Sequence, residues 1–421
     1  MPAEYHKYLS KISPQYVAEL WPPVICRGSG VRVFDAEERE YLDLDAGWGA
    51  LGLGHCHPEI VEVTQRATAT LEHTTPPSRP LINLMDKLSK RLEPYDLAKF
   101  FLGTSGSESV EHALMLALSR KPNSRKVMVF DRAYHGSSLG LLPLSFSGHP
   151  MSALSGIQPI RIPTPFCYRC EFGLSRDTCQ RECQQAFESL MAEHKEDICA
   201  VLLEPALGRE AIVLPEGYLS SVANECRSAG IALILDEIKT GISRCGPTFA
   251  FEAENVEPDI LCLGKSLSNG FPLSVVVFKE DFCPRDFPAS YLILQTTFSG
   301  HAVACARAQK VLEIMKRDRL EEHVAQTGIL FLDMLRSLLE RENTVGDIRG
   351  TGLLCAIEFV SDKASRRPSI AALYRFLAVS RESGIHLETI FRNVAVFTPP
   401  LILSRSDIDE VHDRLEKGLS Q

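Results

Sequence analysis

Ile231-Ala232-Leu233-Ile234-Leu235-Asp236-Glu237 and, a short way on, Ile260-Leu261-Cys262-Leu263-Gly264-Lys265 are two apolar runs that each end in charge. Short continuous apolar runs without alternation read as strands buried on both faces, the kind found in parallel α/β sheets. Ligands of such sheets gather at the carboxyl ends of the strands. Asp236 and Lys265 are therefore expected to face one crevice, one holding a negative charge and the other offering an amine.

That pair suits pyridoxal phosphate, which needs a lysine for its Schiff base and an acid to keep its pyridine nitrogen protonated. A partly desolvated lysine has a lowered pKa and becomes a nucleophile and proton shuttle. Taken alone, the pair equally fits a strand-end turn residue and a solvated lysine. The surrounding sequence adds more: Leu-Asp-Glu-Ile-Lys-Thr-Gly-Ile-Ser-Arg-Cys-Gly (235–246), then Pro258-Asp259-Ile260 and Leu263-Gly264-Lys265-Ser266-Leu267, resembles the class III (omega-type) aminotransferases. Similarity runs from the Asp43-Leu44-Asp45 region to the end of the chain. The resemblance implies a fold type I pyridoxal-phosphate enzyme: an α/β chain with a mostly parallel central sheet, helices on both faces, and a smaller α+β domain. It also implies Lys265 as the Schiff-base lysine and Asp236 beside the pyridine nitrogen, the two catalytic residues.

Composition sets wider bounds. At 421 residues and 45% hydrophobic the chain can bury a large core, and residues 1–65, 66–305 and 306–421 are expected to be an N-terminal segment of the small domain, a large cofactor domain and a C-terminal small domain. The formal charge of −9 argues against a nucleic-acid or anionic-membrane partner. The start, Met1-Pro2-Ala3-Glu4-Tyr5-His6-Lys7, lacks a basic region followed by an apolar core, and 13 cysteines scattered through apparent core runs fit a reducing compartment, so the expected location is cytoplasmic.

Several further segments bear on the site. Trp21-Pro22-Pro23 breaks any helix, after which Val31-Arg32-Val33-Phe34-Asp35 and Tyr41-Leu42-Asp43-Leu44 alternate as a hairpin. The glycine-rich loop at 46–54 contains Trp48 where dialkylglycine decarboxylases of the family carry a polar Gln; Trp48 is read either as a wall of the substrate pocket or as a core residue. Thr104-Ser105-Gly106-Ser107 opens a helix whose apolar face is Val110, Ala113, Leu114, Ala117 and Leu118. Such a turn presents free N–H groups and a positive dipole end to a phosphate, or is simply a cap. With the lysine motif it resembles the family's phosphate cup, which implies that Gly106 and Ser107 contact the phosphate.

Tyr134-His135-Gly136 resembles the family's aromatic-His-Gly motif, which implies Tyr134 on one face of the pyridine ring and Ile238 on the other, with His135 structural. Lys239 stands where relatives carry a Gln near the cofactor's phenolic oxygen. Ala206-Leu207-Gly208-Arg209-Glu210-Ala211 departs from the usual Gln-Gly-Glu-Gly-Gly and leaves Glu210 without an assignable gating role. In the family the Thr-Phe turn supplies a Thr to the partner's cofactor phosphate; the matching Thr297 implies a homodimer with shared active sites, whereas an ordinary capping turn would do nothing across an interface. Relatives usually have an Arg where Val396 stands, forking onto the substrate carboxylate, and Arg392 is the nearest substitute in sequence. Cys167, Cys170, Cys179 and Cys183 form two close pairs that fit a structural zinc or iron-sulfur site, two disulfides or four free thiols; an aminotransferase needs no metal, and none is assigned.

The expected activity is transfer of an amino group between an amine or amino acid and a keto acid, with Val396 and Trp48 favouring a donor that lacks an α-carboxylate. Residues around Lys265 equally suit the family's racemases and decarboxylases. A non-catalytic relative that binds cofactor or a protein partner fits less well with the retained Lys265, Asp236 and phosphate turn.

Overall fold

In the computed structural model, which describes residues 23–283, 296–388 and 390–420, the strand-forming runs fall into separate sheets set around one cleft. Trp21, Pro22 and Gln295 lie outside the described residues. The first described strands are β1 (Ile25–Ser29), β2 (Arg32–Asp35) and β3 (Glu40–Asp43), an antiparallel meander that contains the expected hairpin. Helices α1 (Pro58–Thr70) and α2 (Arg79–Leu92) lead to β4 (Lys99–Gly103), α3 (Gly106–Arg120), β5 (Lys126–Phe130) and β6 (Gln158–Ile162). Then come α4 (Glu182–His194), β7 (Ile198–Leu203), the short hairpin of β8 (Ala206–Leu207) and β9 (Ile212–Val213), α5 (Tyr218–Ala229), β10 (Ala232–Asp236), β11 (Ile260–Leu263) and β12 (Ser274–Phe278). The remainder is α6 (Ala302–Arg317), α7 (Leu320–Leu339), β13 (Val345–Thr351), β14 (Leu354–Phe359), α8 (Ile370–Glu382), β15 (Ile385–His386), β16 (Ile390–Phe391), β17 (Val394–Phe397) and α9 (Arg405–Leu419).

The large sheet has the order β4-β12-β11-β10-β7-β5-β6. Its pairs are parallel except those made by β12, which runs antiparallel to both β11 and β4. Successive side chains of a strand point to opposite faces. Accordingly Ala232 and Ile234 join Val110, Ala113 and Ala117 of α3 on one face, while Leu233 and Leu235 join Leu219, Val222 and Cys226 of α5 on the other. Both faces are apolar because both are covered, which is why β10 and β11 carry no polar alternation. Each fully buried Leu or Ile contributes roughly 1.5–3 kcal/mol.

A second core forms where β13, β14 and β17 pack against α7, α8 and α9, with Phe331, Phe376 and Phe397 among its rings. β15 ties the two ends of the chain together by pairing in parallel with β3, Ile385 opposite Leu42 and His386 opposite Asp43. Fully buried Arg244 donates from Nη1 to the carbonyls of Leu353 (3.0 Å) and Pro399 (2.5 Å), fastening the loop after β10 to the C-terminal layer. Among the described residues no helix is long and apolar enough to cross a membrane.

Candidate active site

A cleft of about 1710 Å³ opens at the carboxyl ends of β5, β7, β10 and β11, walled on its far side by α8 and residues 386–388 and 390–391. Asp236, Ile238, Lys239, Lys265, Gly106, Ser107, Tyr134 and Trp48 all line it. Thr297 does not; it is exposed on the 296–300 turn.

Asp236 is the last residue of β10 and is nearly buried. Its Oδ1 accepts the Ile238 amide at 3.1 Å, and its Oδ2 lies 2.9 Å from Nδ1 of His135, whose side chain is fully enclosed. A carboxylate oxygen only accepts, so Nδ1 is the donor. His135 is thus tied directly to the acid of the site, a role its sequence context did not reveal.

Lys265 follows Gly264 at the end of β11 with φ +43°, a left-handed backbone uncommon for a residue with a side chain and characteristic of strained functional positions. Burial lowers its pKa, opposed by Asp236 and Glu204 and helped by Arg244. Lys239 lies close by, and burial, followed by the charge of Lys265, lowers it to about 7. Gly208 leaves room for its stem, since a Cβ there would sit 2.6 Å from Lys239 Cδ.

Ser105 caps α3, its hydroxyl accepting the Glu108 amide at 3.3 Å. In this 15-residue helix the Gly106 and Ser107 amides precede the first intrahelical bond and are free to meet an anion at the positive end. A Cβ at Gly106 would come within 2.9 Å of Ile238 Cδ1 and 3.1 Å of its Cγ2, so the close approach of Ile238 favours glycine there. Gly136, at φ +121°, likewise has Ser107 Oγ where a Cβ would be, 2.5 Å away. An amine, a carboxylate, a helix N-terminus and a tyrosine ring around one cleft fit pyridoxal phosphate: Lys265 for its aldehyde, Asp236 for its ring nitrogen, Gly106 and Ser107 for its phosphate.

Glu204, just past β7, organises the wall beside these groups. Its two oxygens accept the amides of Tyr134 (3.0 Å) and Gly208 (2.9 Å), and burial raises its pKa, with His135 opposing. The apolar run ending at Glu204 was visible in the sequence; its two amide partners come from other loops and were not.

Trp48 settles on the pocket side of the two expectations. It is 59% exposed, on a single helical turn, Ala46–Gly49, where Gly47 and Trp48 are left-handed and Asp45 accepts the Trp48 amide at 2.9 Å. Val396 is a correction. Its side chain is fully buried with Ala206, Ala211, Cys245, Leu354, Ala356 and Val394, so this position packs the core and does not face the cleft. Arg392 is exposed and absent from the cleft lining; Arg209, in the β8–β9 turn, lines it instead. Glu210 faces away, its carboxylate 3.0 and 2.9 Å from Arg132 Nη1.

Cys167, Cys170, Cys179 and Cys183 form no disulfide in this structure. Three of these sulfurs nowhere approach within 4.8 Å of one another; His412, Asp413 and Glu416 on α9 are the one such trio among the described residues.

Comparison with known proteins points the same way. The family described as aminotransferase class-III matches residues 15–419. The chain is 32% identical to the adenosylmethionine-8-amino-7-oxononanoate aminotransferase of Geobacter sulfurreducens, over 94% of this chain and 92% of that one. It is 30% identical to the 4-aminobutyrate aminotransferase of Escherichia coli, over 95% and 94%. A solved amine transaminase from an uncultivated Pseudomonas species, in its PLP-bound form, superposes with a TM-score of 0.87 at 27% identity, covering 97% and 96%.

Proposed function

The chain belongs to the class III aminotransferase family, and from that premise we propose that its cleft takes an amine whose amino-bearing carbon carries no carboxylate and passes the amino group to a keto acid. The enzyme is a pyridoxal-phosphate-dependent aminotransferase. The observation that carries the finer reading is the wall of the cleft: Trp48, Tyr134, Phe146, Phe271 and Phe391 face it, while Val396 is withdrawn into the core. Aromatic surface supports an apolar amine substituent rather than a charged one. Relatives named for an amine and for 4-aminobutyrate support the same class of donor.

Bound pyridoxal phosphate supplies an aldehyde to take up the amino group and an electron-poor ring to spread the charge left when a C–H proton departs. The chain's residues do the rest. Lys265, whose pKa burial lowers, would take the proton from the amino-bearing carbon and return it one atom away. Asp236, oriented by His135 and the Ile238 amide, holds the proton on the ring nitrogen. Gly106 and Ser107 would hold the phosphate, Tyr134 and Ile238 would flank the ring, and Lys239 would lie toward the phenolic oxygen. Keeping these groups preorganised is what lowers the barrier.

Thr297 is assigned to the cofactor phosphate of a second copy, making the enzyme a homodimer with shared sites; its exposure outside its own cleft supports this. A cytoplasmic location is supported by 13 free cysteines. The test is a donor comparison: benzylamine should discharge the visible absorbance of the holoenzyme with a higher kcat/KM than alanine. The reverse order would reject the carboxylate-free donor.

A further inference from the structure

Arg209 is held in an unusual setting. Its Cζ lies 4.2 Å from the ring centroid of Tyr134, 4.6 Å from that of Phe146 and 4.4 Å from that of Phe391. These rings come from the loop after β5, the residue after the helical turn Leu142–Ser145, and β16, so the cage closes across the cleft. Rings stacked around a guanidinium satisfy its faces and leave its N–H edge for acceptors in the plane.

The protein provides little there. Among the described residues the one side-chain hydrogen bond of Arg209 is from Nη1 to the Ser145 carbonyl at 3.4 Å, longer than the usual 2.7–3.2 Å. The neighbouring acids are committed elsewhere. Glu204 is occupied by the amides of Tyr134 and Gly208, and Glu210 by Arg132. Among the described residues no carboxylate lies within ion-pairing distance of Arg209, whereas Arg381, another cation of the cleft, stands 3.4 Å from Glu388. Burial lowers the pKa of Arg209, the signature of a cation short of an anion.

The backbone around it is pinned on both sides. Gly208 is fixed by Glu204, and the Glu210 carbonyl accepts from Arg349 Nε at 2.9 Å. A side chain with its backbone pinned, three rings around its guanidinium and only one long hydrogen bond on its fork is preorganised for a planar anion.

We propose that Arg209 is the carboxylate anchor for the keto acid, a specificity residue that rests on the aminotransferase reading above. It takes the place of the arginine expected at position 396, from a different strand connection. The labour in the cleft is then divided: the aromatic wall with Trp48 receives the carboxylate-free amine, and the caged guanidinium receives the acid.

The experiment starts from holoenzyme converted to its amino form with benzylamine, and follows recovery of the visible absorbance on adding an acceptor. Two pairs of acceptors differ by one carboxylate: pyruvate against acetaldehyde, and 2-oxoglutarate against succinic semialdehyde. In Arg209→Ala the preference for the keto acid over its aldehyde, as a ratio of kcat/KM, should fall about 10- to 100-fold in at least one pair, the weight of a charge-assisted hydrogen-bonded contact. Arg209→Lys should fall less, because the charge stays while the fork is lost. Loss of folding or of cofactor lowers both members of a pair and leaves the ratio still, so the ratio reads carboxylate recognition alone. Ratios within about twofold of the wild type in both pairs would overturn the assignment. A wild-type amino form that none of the four acceptors consumes would refute the aminotransferase reading itself, before any variant is compared.

Discussion

Replacing His135 by Phe isolates one contact at the centre of the site. The imidazole is fully enclosed, its Nε2 has no partner, and its Nδ1 meets Asp236 Oδ2 at 2.9 Å. Phe keeps a planar ring in the same space and removes only the donor; the His135 amide still bonds Ser145 Oγ at 2.9 Å. Asp236 then retains the Ile238 amide on Oδ1 and loses its partner on Oδ2. A hydrogen bond to an ionised acceptor is worth about 1.5–3 kcal/mol. If all of that is expressed in holding the proton on the cofactor's ring nitrogen, the amine half-reaction slows about 10- to 150-fold. The assay is a single-turnover measurement with saturating amine, with urea unfolding of the same variant to show that the fold survives. A folded, cofactor-loaded His135→Phe enzyme reacting within about twofold of the wild type would refute the view that His135 positions Asp236 for catalysis.

Two other perturbations test the surroundings. Glu210→Ala removes both contacts to Arg132, a pair whose acid is nearly buried, and should cost about 2–4 kcal/mol in urea unfolding with an unchanged m value; a loss below about 0.5 kcal/mol would show the pair to be dispensable. Lys239, lowered to about 7, gives a pH signature in the enzyme stripped of cofactor. Between about pH 7 and the ordinary lysine range the native state binds fewer protons than the unfolded chain, so stability rises with pH, and it is flat in this respect below about 7. Lys239→Gln should lose its share of that rise and keep the part due to Lys265, which burial also lowers; equal slopes in both proteins would show that the Lys239 amine does not titrate in the fold.

What could be read from the sequence follows from how local each signal is. β10 and β11 were legible because burial on both faces writes itself into consecutive residues, and Asp236 and Lys265 because they sit at the ends of those runs. The helix behind Gly106 and Ser107 was legible from its spacing. The linkage of His135 to Asp236 was not, since it joins residues 101 apart whose meeting depends on strand order. Trp48 could not be assigned between wall and core, because its exposure follows from a glycine-rich turn in which residues 46–49 all have positive φ.

Position 396 misled for a related reason. Alternation along β17 sends Val394 and Val396 into the small cluster with Cys245, and Ala395 and Phe397 into the opposite core. An arginine introduced there would meet alanines and a cysteine, so it would test packing more than specificity. Arg209 escaped notice because it lies in the hairpin where the resemblance breaks down, and its significance comes from three rings that converge only in the fold. The contribution of α8 and Glu388 to the far wall is equally tertiary.

Two buried amines, Lys265 and Lys239, reach the same cleft, and the account depends on which of them bonds the cofactor. Reducing the purified holoenzyme with borohydride fixes the cofactor to the lysine it occupies, and peptide mass spectrometry then locates it. The account predicts the added mass on the peptide containing Lys265, with none after Lys265→Ala or after prior discharge by amine. Label on Lys239, or label that persists in Lys265→Ala, would contradict it.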